Sequence, residues 1–363
     1  MTSNLNNIFL SKNITIKKAM KKMDRTGKKT LFVTGRKRLL LGAVTDGDIR
    51  RWILAHGSLD DNVDNIYNRN PVYIHRNEIE GKPIDLVREK VVVAGVESLP
   101  VVDDNMRVVE VLFWKDLNKE EFMKTGSQDN LNLPVVIMAG GQGRRLDPFT
   151  KILPKALIPV GDKPVVEIII NEFMKYVSGD IYFVLRYKGE MIKFYFDNNN
   201  TDYQISYFFE GEKSLGTVGG LQLLPNDFPD TFFLSNCDTI IRAKYNDIYN
   251  FHKESKNDIT VVGSMQHFVV PYGVMEISSG GRLKRIQEKP EQDLLVNTGM
   301  YVCEKKILQY LPKGKSFNTT DLIKEVIAHK GHVGVYPISE KSWFDTGQWG
   351  SYKESAKNLF NNL

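Results

Sequence analysis

The chain has 363 residues, 42% hydrophobic and 26% charged, a globular balance with enough apolar side chains for two or three separate cores. Its net charge of +5 is modest, and Lys and Arg cluster only at Arg36–Arg38 and at Arg50 with Arg51, which argues against nucleic acid as a partner and suits a small anionic substrate. Cys237 and Cys303 have no metal-binding spacing and suit a reduced cytoplasmic protein, while a polar start and the lack of a membrane-length apolar run argue against secretion and membrane insertion.

In chain order, apolar residues at Ile16, Ala19, Met20 and Met23 predict a helix over 16–24. Strands are expected over 30–34 and 39–44, then a helix that starts near Ile49, is capped by Asp46 or Asp48, and stops at Gly57. A fainter second round follows: an extended stretch at 72–74, an apolar stretch at 86–93, strands at 99–103 and 108–113, and a helix at 115–123. Together the two rounds make a tandem repeat of about 55 residues. Residues 124–132, KTGSQDNLN, are polar and read as a linker.

Beyond the linker, strands expected at 134–138, 181–186, 205–210 and 231–236 alternate with helices at 165–176, 190–196, 219–224 and 245–254. Such alternation predicts a mostly parallel, doubly wound α/β sheet, whose ligands lie beyond the carboxyl ends of the strands. The first of these junctions is VVIMAGGQGRRLDPFTKILPKALIPVGDKPVVE, residues 135–167. It lacks both the G-x-G-x-x-G dinucleotide pattern and the GK[ST] ending of a P-loop. Gly140, Gly141 and Gly143 nonetheless let backbone amides approach an anion, and Arg145 and Lys155 can neutralise phosphate oxygens. No Cys or Ser has an evident His partner, which disfavours a hydrolase triad.

The run AGGxGxRLxPxTxxxPKxLxPVxxKPxxE resembles the signature of the sugar-1-phosphate nucleotidyltransferases, and further landmarks of that family follow over about residues 134–357: SLGTVGGL, FLSNCDTI, PYGVMEI, IQEKP, NTGMYV and WFDTG. The resemblance implies a Rossmann-like domain over 133–363. It also implies attack by a sugar 1-phosphate on the α-phosphorus of a nucleoside triphosphate. By the same resemblance, Ala139, Gly140, Gly141, Gly143, Gly216 and Thr217 would bind the nucleotide, and Asp238 and Asp345 would hold Mg²⁺. Gly273, Glu288, Lys289 and Asn297 would bind the sugar phosphate, with Arg145, Lys155 and Lys289 catalytic.

Upstream, LLLGAVTDGDIRR and LPVVDDNMRVVEVLFWKDL resemble the strand-to-helix corners of two CBS domains, over about 14–65 and 66–123. This α+β Bateman module, residues 1–123, implies an adenine nucleotide at Thr45 and Asp48 and assembly into a homo-oligomer through the pair. In the second copy Phe113 and its neighbours replace the Thr, which makes a ligand there less expected. Such a pair ahead of the transferase, without hexapeptide repeats behind it, resembles bacterial guanylyltransferases that make GDP-glucosamine from GTP and glucosamine 1-phosphate for legionaminic acid. Enzymes forming GDP-heptose, GDP-mannose, dTDP-glucose or CDP-glucose share the motifs. A non-catalytic nucleotide binder, or a sensor built on the CBS pair, is the competing class.

Overall fold

The computed structural model describes residues 5–55, 57–79, 98–113, 130–199, 201 and 203–360, in two compact units, Met1–Ser127 and Gln128–Leu363. The apolar stretch expected at 86–93, the helix at 115–123 and residues 124–129 of the linker lie outside the described residues.

In the first unit, the helix Ile16–Thr26 buries Ile16, Ala19 and Met23; Thr15 caps it, and Gly27 ends it in a left-handed conformation at φ 66°. β1 (Phe9–Leu10) runs parallel to β2 (Thr30–Thr34), which pairs antiparallel with β3 (Leu40–Thr45). The next helix, Asp46–Leu54, starts three residues earlier than expected. Its cap is Thr45, not Asp46 or Asp48: the Thr45 hydroxyl accepts from the Asp48 N–H, and the Asp48 carboxylate accepts from Thr45 N and Oγ1 at 2.7 Å each.

The same arrangement then recurs. β4 (Ile74–His75) is parallel to β5 (Ser98–Val102), and β5 is antiparallel to β6 (Val108–Phe113). Thr30 and Ser98, like Leu40 and Val108, stand 68 residues apart, which is longer than the repeat expected. The apolar pattern missed the segment after the second helix, which holds a 3-10 turn at Val63–Asn65 and is fixed by backbone bonds such as Val63 N–H to Ile14 O and Asn68 N–H to Ala43 O.

The second unit carries β7 (Val135–Ala139), a small ribbon of β8 (Pro159–Val160) and β9 (Lys163–Pro164), β10 (Ile181–Leu185), β11 (Ile205–Phe209), β12 (Thr231–Asn236) and β13 (Thr239–Ile241). After these come β14 (Ile259–Val269), β15 (Val274–Ile277), β16 (Leu283–Gln287), β17 (Glu291–Glu304), β18 (Val333–Ser339) and β19 (Trp343–Asp345). Seven strands form the main sheet in the order β11-β10-β7-β12-β17-β14-β18. Only β17 pairs antiparallel with its neighbours, so the other six share one direction.

β7 is buried along its whole length, as a central parallel strand should be. Val135, Ile137 and Ala139 face one core, with Ile169 and Phe173 from the helix Val165–Phe173 and Ile192 and Phe196 from the helix Gly189–Asp197. Val136 and Met138 face the other, with Leu221, Leu322 and Val326. The stretch Gly219–Leu223 is a 3-10 turn and not the expected α-helix, for two leading glycines are poor helix formers. No helix among the described residues is long and apolar enough to cross a membrane.

At the start of β12, away from its carboxyl end, a polar knot joins β12 to β17 and the helix Tyr245–Glu254. His252 is fully buried, with Nδ1 2.8 Å from Thr260 Oγ1 and Nε2 3.1 Å from Glu304 Oε1, and Lys253 Nζ donates to the same oxygen at 2.6 Å. Burial holds the His252 imidazole below its ordinary range although Glu304 pulls it up. The unfolded chain therefore takes the proton first. The contribution of His252 is fully present above about pH 6.5 and is lost as the pH falls from there toward the lowered folded value. Thermal unfolding followed by circular dichroism should show a midpoint that drops between pH 7.5 and 5.5, with His252→Gln flattening that slope.

Candidate active site

Because β11, β10, β7 and β12 run the same way, their carboxyl ends lie side by side: Leu185 pairs with both Ala139 and Phe209, and Asn236 pairs with Met138. The residues just beyond them, Gly140, Arg186, Glu210 and Asp238, consequently share one edge of the sheet. The glycine loop opens on that edge. A Cβ on Gly140 would stand 3.4 Å from Arg186 Cβ and from Glu210 Oε1, whereas one on Gly141 would meet no described atom within 4 Å. Gly143 is left-handed at φ 66°, and a Cβ there would crowd Thr150 Cγ2 at 2.8 Å and Lys155 Cβ at 3.0 Å.

Several bonds hold the loop in place. Thr150 Oγ1 donates to Asp147 Oδ1 at 2.6 Å, Lys188 Nζ to Lys151 O at 2.5 Å, and Trp349 Nε1 to Asp147 O at 3.0 Å, and the Trp349 ring lies 5.0 Å from that of Phe149. Arg145 stands exposed on this loop in the turn Arg144–Leu146.

The antiparallel pair β13 and β19 sets Thr239 opposite Asp345, which brings Asp345 alongside Asp238. Both carboxylates converge on Gly347: a Cβ there would meet Asp238 Oδ2 at 2.4 Å, Asp345 Oδ1 at 2.9 Å and Lys155 Nζ at 3.1 Å. Lys155 Nζ donates to Asp238 Oδ2, and the two side chains are only 13% and 11% exposed. Thr346 secures Asp238 from behind, its N–H and Oγ1 donating to Asp238 O at 3.0 and 2.9 Å, and the Gly347 N–H donates to Asp345 Oδ1 at 2.8 Å. Two carboxylates at one point suit a hard cation such as Mg²⁺, which takes one or two protein carboxylates and completes its shell with water and phosphate oxygens. Among the described residues, no cluster of three or more His, Cys, Asp or Glu side chains offers another metal site.

The expected sugar-side residues form a second group, carried on the ribbon β15–β16 and its base. A Cβ on Gly273 would meet Glu288 Oε2 at 3.0 Å. Lys289 is left-handed at φ 44°, a conformation that costs a non-glycine residue about 1 kcal/mol or more, and its N–H donates to Tyr272 O at 3.2 Å.

Three other expected residues are occupied structurally. Asn297 accepts from the Gly299 N–H and donates to Tyr301 OH, at 2.9 Å each. Thr217 Oγ1 accepts from Thr319 N–H at 2.8 Å, capping the helix Thr319–Ala328, and Gly216, at φ 84°, abuts Phe317, so the backbone is what this segment can offer a nucleotide. In the first unit, Thr45 and Asp48 are bonded to one another, and Asp48 also pairs with Arg51.

Sequence reading missed Glu210, Arg186, Thr346 and Gly347. Glu210 had a signal of the same kind as Asp238, an acidic residue directly after an apolar strand. Its carboxylate is buried, with Oε2 accepting from the Leu215 N–H at 3.1 Å and lying 3.7 Å from Arg186 Nε, a buried group without a hydrogen-bond partner. Desolvation raises the Glu210 carboxyl above its ordinary range, against the pull of Leu215 and Arg186. Oε1 points between the two glycine segments, as a Cβ on Gly220 would lie 2.8 Å from it. Burial, aided by Asp238, pushes the Cys237 thiol up to about 12, which keeps it protonated and unreactive.

Residues 134–362 match the family model described as nucleotidyl transferase, and residues 1–55 match that of the CBS domain. A UTP--glucose-1-phosphate uridylyltransferase of Synechocystis is 28% identical over 246 residues, 62% of this chain and 63% of that protein. The bifunctional protein GlmU of Methanococcus aeolicus is 30% identical over 240 residues, 64% of this chain and 55% of that protein. A Sulfolobus acidocaldarius protein, provisionally named a mannose-1-phosphate guanyltransferase, is 28% identical over 216 residues, 58% of this chain and 59% of that one. The chain thus spans less than two thirds of the length of each.

Gly347→Ala tests the carboxylate cradle. The atoms its methyl would meet are ends of side chains, so the fold should persist, with a lowered melting midpoint, while Asp238 and Asp345 are pushed apart. Binding of Mg²⁺ or Mn²⁺, read by titration calorimetry, should weaken at least about tenfold, because a small hard cation tolerates little displacement of its carboxylates.

Proposed function

The chain belongs to the nucleotidyl transferase family, and on that premise we propose that it transfers a nucleotidyl group from a nucleoside triphosphate to a sugar 1-phosphate, releasing pyrophosphate, with GTP and glucosamine 1-phosphate as the preferred pair. The observation that carries this reading is the convergence of Asp238, Asp345 and Lys155 on Gly347, beside the glycine loop. Both reactants are anions, so the barrier is charge repulsion and alignment, and no covalent enzyme intermediate is needed.

The residues divide that work. The amides around Gly140 and Gly141 receive phosphate oxygens, Arg145 meets the leaving pyrophosphate, Lys155 bridges phosphates, and Lys289 with Glu288 holds the attacking sugar phosphate. A Mg²⁺ ion held by Asp238 and Asp345 would offset the charge that develops on the α-phosphate.

The guanine preference draws support from Glu210. A carboxylate accepts hydrogen bonds but donates none, and guanine offers two adjacent donors, N1–H and N2–H₂, on one edge. Uracil and thymine present an acceptor beside a donor and would leave a carboxylate oxygen facing an acceptor. The sugar rests on resemblance alone: a CBS domain ahead of the transferase resembles the enzymes of GDP-glucosamine formation for legionaminic acid. An adenine nucleotide at the N-terminal unit would meet Thr45 and Asp48 as a bonded pair at the start of the helix Asp46–Leu54, with carboxylate lone pairs still open to ribose hydroxyls.

Incubation with each triphosphate and a panel of sugar 1-phosphates, read by pyrophosphate release, should give the highest kcat/KM with GTP and glucosamine 1-phosphate. Asp238→Asn should lose on the order of 10²–10³ in rate with the fold intact. No pyrophosphate from any pair would end the transferase reading. Glu210→Gln presents an amide donor where guanine needs an acceptor, so it should lower kcat/KM for GTP by about tenfold or more and shift preference toward UTP or dTTP. A wild-type preference for UTP would favour the uridylyl transfer named for the Synechocystis relative.

A further inference from the structure

The strands β14 and β17 continue past the main sheet. Val270 N–H donates to Pro290 O at 3.0 Å, Lys289 N–H to Tyr272 O at 3.2 Å, and β15 then pairs with β16 out to the turn at Ser279–Gly281. This outer part is a ribbon of two strands only, and every residue in it is exposed. A lone two-stranded ribbon is marginal in water and needs something packed on it.

Its register shows where. Met275 pairs with Ile286 and Ile277 with Leu283, and alternation along β15 puts these four side chains on one face. The other face takes Glu276, Arg285 and Gln287, with Val274 the one aliphatic residue among them, and Lys284 Nζ donates to Glu276 Oε1 at 2.6 Å. The ribbon is therefore amphipathic, yet its apolar face is open: Met275 and Ile277 are 65% exposed, Leu283 57% and Ile286 60%. Exposed aliphatic surface gathered on one face in this way marks an interaction site.

We propose that this face packs against the same face of a second copy of the chain, two ribbons closing into a four-stranded sandwich about a two-fold axis. The four side chains carry no charge and no hydrogen-bonding group, so the face is complementary to itself and asks nothing else of a partner. Full coverage of these four side chains in both copies would remove on the order of 900 Å² from water, which approaches the roughly 1,200 Å² at which specific interfaces begin. The charged residues of the opposite face stay in water, so closing the apolar face desolvates no charge. This association does not depend on the transferase reading.

The test places one thiol on each face of the full chain. The native thiols, Cys237 and Cys303, are buried, so an introduced cysteine is the reactive one. Ile277→Cys treated with a short bis-maleimide should give a covalent dimer at micromolar concentration, and Lys284→Cys, on the charged face, should not. Three results would overturn the proposal. Equal linking of both variants would mean chance collision. Fast labelling of Cys at 277 by a monofunctional maleimide without linking would mean the face stays open to water. Neither labelling nor linking would mean that the chain's own residues cover it.

Discussion

Everything at the site depends on four strands pointing the same way. Parallel pairing of β11, β10, β7 and β12 puts four chain ends on one edge, and each end delivers a residue that the strand itself could not carry: a glycine, an arginine and two acids. Within the strands such groups would be buried without water. Just past them, they have backbone amides, one another and open space. The two cores on either side of β7 leave this edge as the place where polar groups collect.

A second constraint comes from late in the chain. Asp345 reaches Asp238 only because β19 returns to pair with β13, and the helix that follows pins its first residue, Trp349, to Asp147 in the glycine loop. The site is thus assembled from segments more than a hundred residues apart, and a single tight position, Gly347, registers them against each other. Lys155 completes the arrangement by keeping one of two neighbouring carboxylates compensated in a setting with little water.

Much of this was legible in the residues. Strands such as Thr231–Asn236 and the helix Tyr245–Glu254 stand where apolar spacing put them, since a long periodic pattern buried on both faces leaves little choice. The start of the helix at Asp46 was not legible, because Thr45, Asp46 and Asp48 can all cap and only the backbone geometry decides among them. Glu210 reads in the sequence only as the last residue of the strand expected at 205–210; what distinguishes it is burial against Gly140 and Gly220, a tertiary fact. Asn297 and Thr217 each carry a part that their motif does not state: the Asn297 side chain holds a turn and the Thr217 hydroxyl a helix end.

The one irregular rung in the main sheet lies where the ribbon leaves it. Between Val261 and Gly263 the pairing of β14 with β17 slips, and Gly263 then faces Asn297. A bulge bends a strand and strengthens its local twist. The rung therefore bears on the angle at which the long ribbon that carries Glu288 and Lys289 at its base departs. A side chain at position 263 would press on Leu295 at 2.9 Å. The absence of a side chain at Gly263 thus leaves Leu295 its place beside the irregular rung.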